Sequence, residues 1–473
     1  MSVSPGRLAA PVALDLVDVL QATSGELAKL GAATAFRGVT TDSRTIEPGE
    51  LFVAVRGETH DGHAFLRDAL GRGAGGVVVE AGTALDGLDG TVIVVRETLA
   101  ALGDLAAAHR RRHPVPLVAV AGSNGKTTTK EMLATILRAA YGEDRVVWTR
   151  GSQNNLVGLP LTLLRVDDET RVVVLEIGMN APGEVWRLAE IAQPDVGIIT
   201  CIAEEHLQGV GSMRGAAEAN AELWRRLKPS GTAVVNADDP YVRGVADAFA
   251  GTHVAFGDAG DVRARDVVDD GIDGTRFVLD AGGESAPVRL GIAGRHNVAN
   301  ALAATAAARA VGVPLETACR ALETFTAPTM RMQRLVLGSG AVVLNDCYNA
   351  NPGSMAAALQ TLGASHAARR IAVLGEMLEL GESAERAHRE LGARLPTAKV
   401  DALFLMGTHA ALVRDEAVAG GLAADRITIA ATHDAVAGAL RALLRDGDLV
   451  LVKGSRGARL EKVIAGLEPK GAA

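Results

Sequence analysis

Residues Leu117 to Lys130 read LVAVAGSNGKTTTK, and few stretches restrict a fold so tightly. An apolar run reads as a buried parallel strand, a glycine-flanked turn follows, and Lys-Thr-Thr-Thr opens a helix. Met132, Leu133, Ile136 and Leu137 then recur with a period near 3.6, which supports the helix. This is the layout of a phosphate cradle. Gly122 and Gly125 let backbone N–H groups around Ser123 and Asn124 approach an anion, the helix N-terminus adds positive potential, Lys126 brings a mobile cation, and Thr127, followed by Thr128, offers a hydroxyl to Mg2+. The spacing is Gly-x-x-Gly-Lys-Thr-Thr; a common Walker loop would need a further glycine where Val120 stands. A glycine turn before a surface helix is the competing reading, and strand, loop, Lys-Thr pair and amphipathic helix in register weigh against it.

A parallel strand needs partners, and the chain supplies them in three groups. Before the loop, helical spacing runs from Leu14 to Leu30, and strands are expected at Val39 to Arg44 and Leu51 to Arg56 about the turn Pro48-Gly49. Further strands fall at Val77 to Val79 and Val92 to Val95, and a helix runs through Arg112. His113-Pro114-Val115-Pro116 ends this unit, because neither proline can continue a helix. After the loop, strands at Val172 to Leu175, Val196 to Thr200, Ala233 to Asn236 and His253 to Phe256 alternate with helices, which implies a mostly parallel sheet. A second boundary lies at Ala327-Pro328. Strands at Val342 to Leu344, Ile371 to Leu374, Ala402 to Met406, Ile427 to Ala430 and Leu449 to Val452 follow, without a Gly-x-Gly-x-x-Gly fingerprint for a dinucleotide. The expectation is an α/β chain of three domains: a small α/β N-terminal domain (1–114), a central parallel-sheet P-loop ATPase domain (115–327) and a C-terminal Rossmann-like α/β domain (328–473).

Composition narrows the function classes. Hydrophobic residues make up 48% of the chain but aromatics only 3%, so the cores are expected to be aliphatic. The net charge of −8, with both signs interspersed, leaves no electrostatic footprint for nucleic acid. Cys201, Cys319 and Cys347 are far apart and lack Cys-x-x-Cys spacing, which suits reduced thiols in the cytoplasm. Pro11, Asp15 and Asp18 interrupt the N-terminal apolar stretch, and no run of about eighteen apolar residues occurs, so neither a signal peptide nor membrane insertion is expected.

Other polar groups sit where strands end, the edge at which ligands collect in an open α/β sheet. Glu176 stands where a Walker-type NTPase places a metal carboxylate, and His206 closes the run Cys201-Ile202-Ala203-Glu204-Glu205-His206. Asn297 and Asn300, three apart in a helical stretch, share a face suited to adenine or ribose. Arg331 precedes an Asn-rich run from Asn345 to Met355, in which Asp346 suits ribose hydroxyls while Asn351 and Ser354 suit a small polar substrate. Lys453 and Arg456 flank a glycine turn that suits a carboxylate or phosphate. Ordinary turns are the alternative for both of these last segments.

Together these residues resemble the Mur ligases over about Gly38 to Arg456. The Gly122 to Thr128 loop is the shortened form of that superfamily, which includes the folylpolyglutamate synthases. Glu176, His206, Asn236-Ala237-Asp238-Asp239 and Arg295-His296-Asn297 are its shared features. Gly151-Ser152-Gln153-Asn154-Asn155, Gly158 to Leu163, Asp346 to Met355, Leu374 to Gly381 and Lys453 to Arg456 are similar to the branch that adds a dipeptide; the Asp-Asn-Pro-Arg motif of the diaminopimelate-adding branch is absent.

The resemblance implies a ligase of peptidoglycan precursor synthesis. ATP phosphorylates the terminal carboxylate of UDP-N-acetylmuramoyl-tripeptide, and the amine of D-alanyl-D-alanine attacks the acyl phosphate. It implies ATP and Mg2+ as cofactors, small-molecule partners only and a cytoplasmic monomer. On this basis Lys126, Glu176 and His206 are catalytic, and Thr127, Glu176 and His206 hold metal. Gly122, Ser123, Asn124, Gly125, Lys126, Thr127, Thr128, Asn297, Asn300, Arg331 and Asp346 contact ATP. Thr41, Ser43 and Arg44 take the uridine diphosphate end, Asn154 and Asn155 the sugar-nucleotide, and Tyr348, Asn349, Asn351, Ser354 and Arg456 the dipeptide. The carbamylated lysine of the family falls at Asn220, which cannot carry a carbamate and leaves a neutral oxygen for a second ion or its water; Glu218 and Glu222 point off its helix face. Substrates spread over three domains imply closure of the C-terminal domain during turnover. A sister amino-acid ligase and a P-loop ATPase coupled to a partner are the rival readings.

Overall fold

The computed structural model describes residues 14–57, 60–204 and 207–467. Those residues build sheets of five, nine and six strands, and a two-stranded ribbon pairing Leu14–Asp15 with Ala35–Phe36.

The first sheet runs in the order Glu26–Lys29, Thr91–Val95, Gly76–Glu80, Leu51–Val53, Val39–Thr40, parallel except for its first pair. Helical spacing extends to Leu30, yet the helix Leu16–Thr23 stops early. Ser24 adopts left-handed backbone (φ 50°) as its C-cap, and a Cβ on Gly25 would lie 2.8 Å from Ile93 Cγ2. The chain must turn at that pair, and Glu26–Lys29 leaves as an edge strand.

At the heart of the second sheet lies Leu117–Ala121, buried along its whole length between the parallel strands Val172–Glu176 and Val196–Ile199. Val146–Trp148 lies outside the first of these; Thr232–Asn236 and Thr252–Phe256 lie outside the second. Register positions the chemistry: Glu176 is opposite Val120 and Ile199 opposite Ala121, so both neighbouring strands end beside the start of the glycine turn. Beyond Thr252–Phe256 the sheet gains Val262–Asp269 and the antiparallel strands Thr275–Ala281 and Glu284–Leu290, an extension the alternating pattern does not announce.

One face of this sheet shares a core with the first unit, where Leu102 and Leu105 meet Leu188 and Ile191. The other face is covered by the loop helix Lys126–Tyr141 and by His296–Ala310, whose alanines are buried on nearly every side. The aliphatic cores expected from composition are what pack here. The third sheet, Gln333–Val336, Val342–Asp346, Asp448–Lys453, Arg369–Leu374, Ala402–Leu405, Ile427–Ile429, is parallel apart from its first pair and carries a core on each face.

Candidate active site

The glycine turn is held from three sides. Gly122 (φ 122°) has no room for a side chain, since a Cβ would lie 2.2 Å from Thr200 Oγ1. Its N–H donates to Asn220 Oδ1 at 2.8 Å, Ser123 N–H donates to the Cys201 carbonyl at 2.8 Å, and Thr200 Oγ1 donates to the Asn124 carbonyl at 2.6 Å. Gly125 (φ 83°) begins the helix, and a Cβ there would lie 2.3 Å from Asn300 Oδ1. Lys126 Nζ donates to the Gly122 and Ser123 carbonyls at 2.6 and 2.8 Å, so the cation sits on the rim of the turn.

Glu176 is almost fully buried at its strand end. Oε1 accepts from Thr127 Oγ1 at 3.1 Å and from Asn154 Nδ2 at 2.8 Å, whereas Oε2 is buried and has no hydrogen-bond partner. A buried orphan carboxylate oxygen is costly unless something with positive charge uses it. With the Thr127 hydroxyl beside it, this is an all-oxygen donor set of the kind a hard divalent cation takes. A second cluster, Glu376, His388 and His409, also brings potential ligand atoms together. There His388 donates from Nδ1 to the Ala384 carbonyl and accepts the Met377 N–H on Nε2, so both ring nitrogens are already engaged.

Asn297 and Asn300 share a helix face, as their spacing predicts. Asn300 Nδ2 donates to Asn297 Oδ1 at 2.9 Å, and Thr129 Oγ1 donates to Asn300 Oδ1 at 3.2 Å. From the third sheet, the Arg331 guanidinium lies over the Tyr348 ring, 4.2 Å from its centre, close enough for a cation–π contact. It is flanked by Met330 and Met332, both at positive φ. Asp346 accepts from Lys453 Nζ at 2.6 Å and from Met332 N–H at 3.1 Å, and Lys453 also donates to the Asn349 carbonyl at 2.9 Å.

The turn, the Glu176 strand end, the Asn297–Asn300 face and the Arg331 to Ser354 region open on one cavity of about 830 Å³, which the Glu376, His388 and His409 cluster does not line. Ser123 to Thr128, Asn154, Asn155, Glu176, Asn297, Asn300, Arg331, Asp346, Tyr348, Asn349 and Ser354 line it, together with Val55, Arg56 and Gly57 from the first sheet. Thr41, Ser43 and Arg44 do not line it. They stand at the same strand edge one strand over, and Arg44 is held by Asp42, whose carboxyl that guanidinium lowers to about 2. Arg456 is also outside, paired with Glu461 at 2.6 Å. Asn351 is buried and spent on structure: it caps the helix Pro352–Ala364 in a box with Ser354 and exchanges amide hydrogen bonds with Asn124 at 2.8 and 3.2 Å. His206 lies outside the described residues.

Asn220 corrects the expectation of an oxygen offered to a second ion. Its Oδ1 is committed to Gly122 N–H and its Nδ2 to the Ala216 carbonyl at 2.8 Å, because its helix packs directly under the turn. Glu222, as expected, faces away and accepts from Gly183 N–H and Trp186 N–H. No motif in the sequence singles out Lys130, although Lys130, Leu133 and Leu137 share a buried face, where a lysine is conspicuous.

Family models match nearly end to end: "Mur ligase family, catalytic domain" over residues 35–121, "Mur ligase middle domain" over 120–308 and "Mur ligase, glutamate ligase domain" over 330–456. The chain is 36% identical to the UDP-N-acetylmuramoyl-tripeptide–D-alanyl-D-alanine ligase of Bacillus subtilis, covering 92% of this chain and 93% of the relative. With that of Escherichia coli identity is 34%, over 96% and 98%. Among solved structures, a crystal structure of MurF from Acinetobacter baumannii superposes with a TM-score of 0.88 at 31% identity, covering 97% of this chain and 99% of that one. MurF from Thermotoga maritima in complex with ADP superposes with a TM-score of 0.78 at 27% identity, covering 91% and 96%.

Proposed function

The chain belongs to the Mur ligase family, and we propose that it joins D-alanyl-D-alanine to UDP-N-acetylmuramoyl-tripeptide at the expense of ATP, giving UDP-N-acetylmuramoyl-pentapeptide, ADP and phosphate in peptidoglycan precursor synthesis. The observation that carries this reading is the single cavity walled by the glycine turn, the Glu176 strand end, the Val55 to Gly57 segment and the Arg331 to Ser354 region. A reaction that brings together a nucleotide-linked peptide, ATP and a dipeptide needs such a meeting place. The functional units divide at 1–114, 115–327 and 328–473.

The terminal carboxylate of the tripeptide attacks the γ-phosphorus, the bond to the bridging oxygen of ADP breaks, and an acyl phosphate forms. The neutral dipeptide amine then adds to the acyl carbon, and phosphate leaves from the tetrahedral intermediate, the proton lost by the nitrogen being taken up by the departing phosphate. Charge builds on phosphoryl and acyl oxygens, so placed donors and cations carry much of the catalysis. Backbone N–H groups of the turn and Lys126 bind the β and γ phosphates. Asn297 and Asn300 form the wall for adenosine, while Arg331, over the Tyr348 ring, and Asp346, held by Lys453, close over the nucleotide. Asn154 and Asn155 meet the sugar-nucleotide; Tyr348, Asn349 and Ser354 face the dipeptide. Glu176 and Thr127 would hold Mg2+, which when bound would offset charge on the transferring phosphoryl group. Asn220 does not fit a second ion, so no step is assigned to one. The uridine end lies near Thr41, Ser43 and Arg44, at the edge next to the cavity.

No described helix is long and apolar enough to cross a membrane. A cytoplasmic monomer suits substrates that are soluble nucleotides.

The test is the mass of the product formed from ATP, Mg2+, UDP-N-acetylmuramoyl-tripeptide and D-alanyl-D-alanine, run beside single amino acids, with phosphate release followed. The pentapeptide, with phosphate release requiring both substrates, is expected. Addition of a single amino acid would instead make the protein a sister ligase, and phosphate without adduct an ATPase.

A further inference from the structure

Lys130 has no part in the scheme above, and it is fully buried. Its ammonium donates to the carbonyls of Thr149 and Gly151 at 2.7 and 2.8 Å, pairs with Glu131 at 2.8 Å and stands 3.6 Å from Glu176 Oε2. Burying an ammonium is expensive, and these polar partners are what offset the cost here. The contacts join three segments: the loop helix, the turn that leads to Asn154, and the end of the Glu176 strand. Thr149 reinforces the link, since its hydroxyl accepts Glu176 N–H at 3.0 Å, and Asn154 completes it through Glu176 Oε1 and through its carbonyl, which accepts Gly178 N–H at 2.9 Å.

The 3.6 Å separation is the informative one. A hydrogen bond fades within a few tenths of an ångström, whereas Coulomb attraction falls only as the inverse of distance. Lys130 is near enough to offset the burial of the Glu176 carboxylate and too far to occupy a lone pair of Oε2. Thr127 and Asn154 meanwhile fix Oε1, so the second oxygen is held in place and uncapped. We propose that Lys130 is a positioning residue: it compensates Glu176 at a distance, keeps Oε2 available to the divalent ion, and clamps the 149–155 turn so that the metal edge and the sugar-nucleotide wall hold one geometry. This rests on the reading of Glu176 and Asn154 given above.

The test uses full-length protein and calorimetry, with ADP titrated in the presence and absence of Mg2+ and UDP-N-acetylmuramoyl-tripeptide titrated separately. Lys130→Met removes the charge; Lys130→Arg keeps it but extends a fork of donors that reaches and caps Oε2. Both variants are expected to bind ADP as wild type does without Mg2+, and to lose about tenfold of the gain that Mg2+ confers and of affinity for the UDP-linked peptide, the size of effect seen when residues that orient metal ligands are changed. Folded variants with the wild-type Mg2+ gain and wild-type peptide affinity would overturn the proposal. Wild-type protein that binds neither ligand would instead remove the reading of the site. Adding Glu176→Gln to Lys130→Met removes the stranded charge and is expected to restore soluble yield and Tm. A double variant no more stable than Lys130→Met also counts against it, even where the single variant fails to fold.

Discussion

A neutral side chain stands where a charged, metal-facing one is expected, and the turn is built around it. Asn220 spends its oxygen on the buried Gly122 N–H, at a turn where Gly122 is pressed against Thr200. Asn220→Ala strands that buried donor, at a cost of about 1–3 kcal/mol. The expected result is a lower urea midpoint together with a raised KM for ATP, because the same N–H fixes the curve of the turn; an unchanged midpoint and KM would show that the turn holds itself. Individual residues were unevenly readable from the sequence. Lys126 and Thr127 stand out from the loop's own spacing, whereas Glu176 and the Asn297–Asn300 pair gain meaning only beside that loop, since a strand end or a helix face alone admits an ordinary carboxylate or cap. Arg456 and Asn351 are not settled even then, because a cation or an amide after a strand serves a salt bridge or a helix cap as readily as a ligand.

Whole elements separate along the same line. Strands buried on both faces are continuous apolar runs, and Leu117–Ala121, Val172–Glu176 and Asp448–Lys453 stand out for that reason. Val262–Asp269 does not: most of its residues are exposed or half-buried, and it is broken by an irregularity between Arg265 and Val268, where Asp266 is at positive φ. Gln333–Val336, an edge strand, is hidden likewise. The helix Thr98–Arg112 carries a different message. It docks the first unit on the central one through Arg110, which donates to the Ala192 carbonyl and pairs with Asp195, and through His109, whose Nε2–H donates to the Val166 carbonyl at 2.7 Å. Burial pushes the His109 imidazole from 6.5 down to about 4. The unfolded chain therefore binds a proton that the native state refuses, so this contribution is intact above pH 6.5 and is lost progressively as pH falls toward 4. Between pH 7.5 and 5 the loss is about 2 kcal/mol. Urea unfolding of the wild type and of His109→Gln, which keeps a donor for Val166 but cannot titrate, should show a shallower pH slope in the variant; equal slopes would assign the acid sensitivity to other groups.

Across the molecule, the C-terminal unit touches the glycine turn directly. Asn124 and Asn351, 227 positions apart, exchange amide hydrogen bonds, and nearby Arg386 grips Glu204 at 3.0 and 3.1 Å. If these contacts hold the closed arrangement that shields the acyl phosphate, losing them opens the protein and slows turnover while leaving each unit folded. Asn351→Ala alone is ambiguous, because it also removes a helix cap worth about 1 kcal/mol. Asn124→Ala removes the partner and leaves the cap. The double-mutant cycle isolates the amide pair, and a coupling of about 0.5–3 kcal/mol in kcat/KM is the range for groups in contact. Small-angle scattering supplies the second readout. Asn124→Ala is expected to have a larger radius of gyration than wild type without ligands, and the two should converge once ATP and the UDP-linked peptide are bound. Additive single effects with superimposable scattering would mean that the amide pair merely touches, and that docking of the C-terminal unit is set by its apolar and ionic contacts instead.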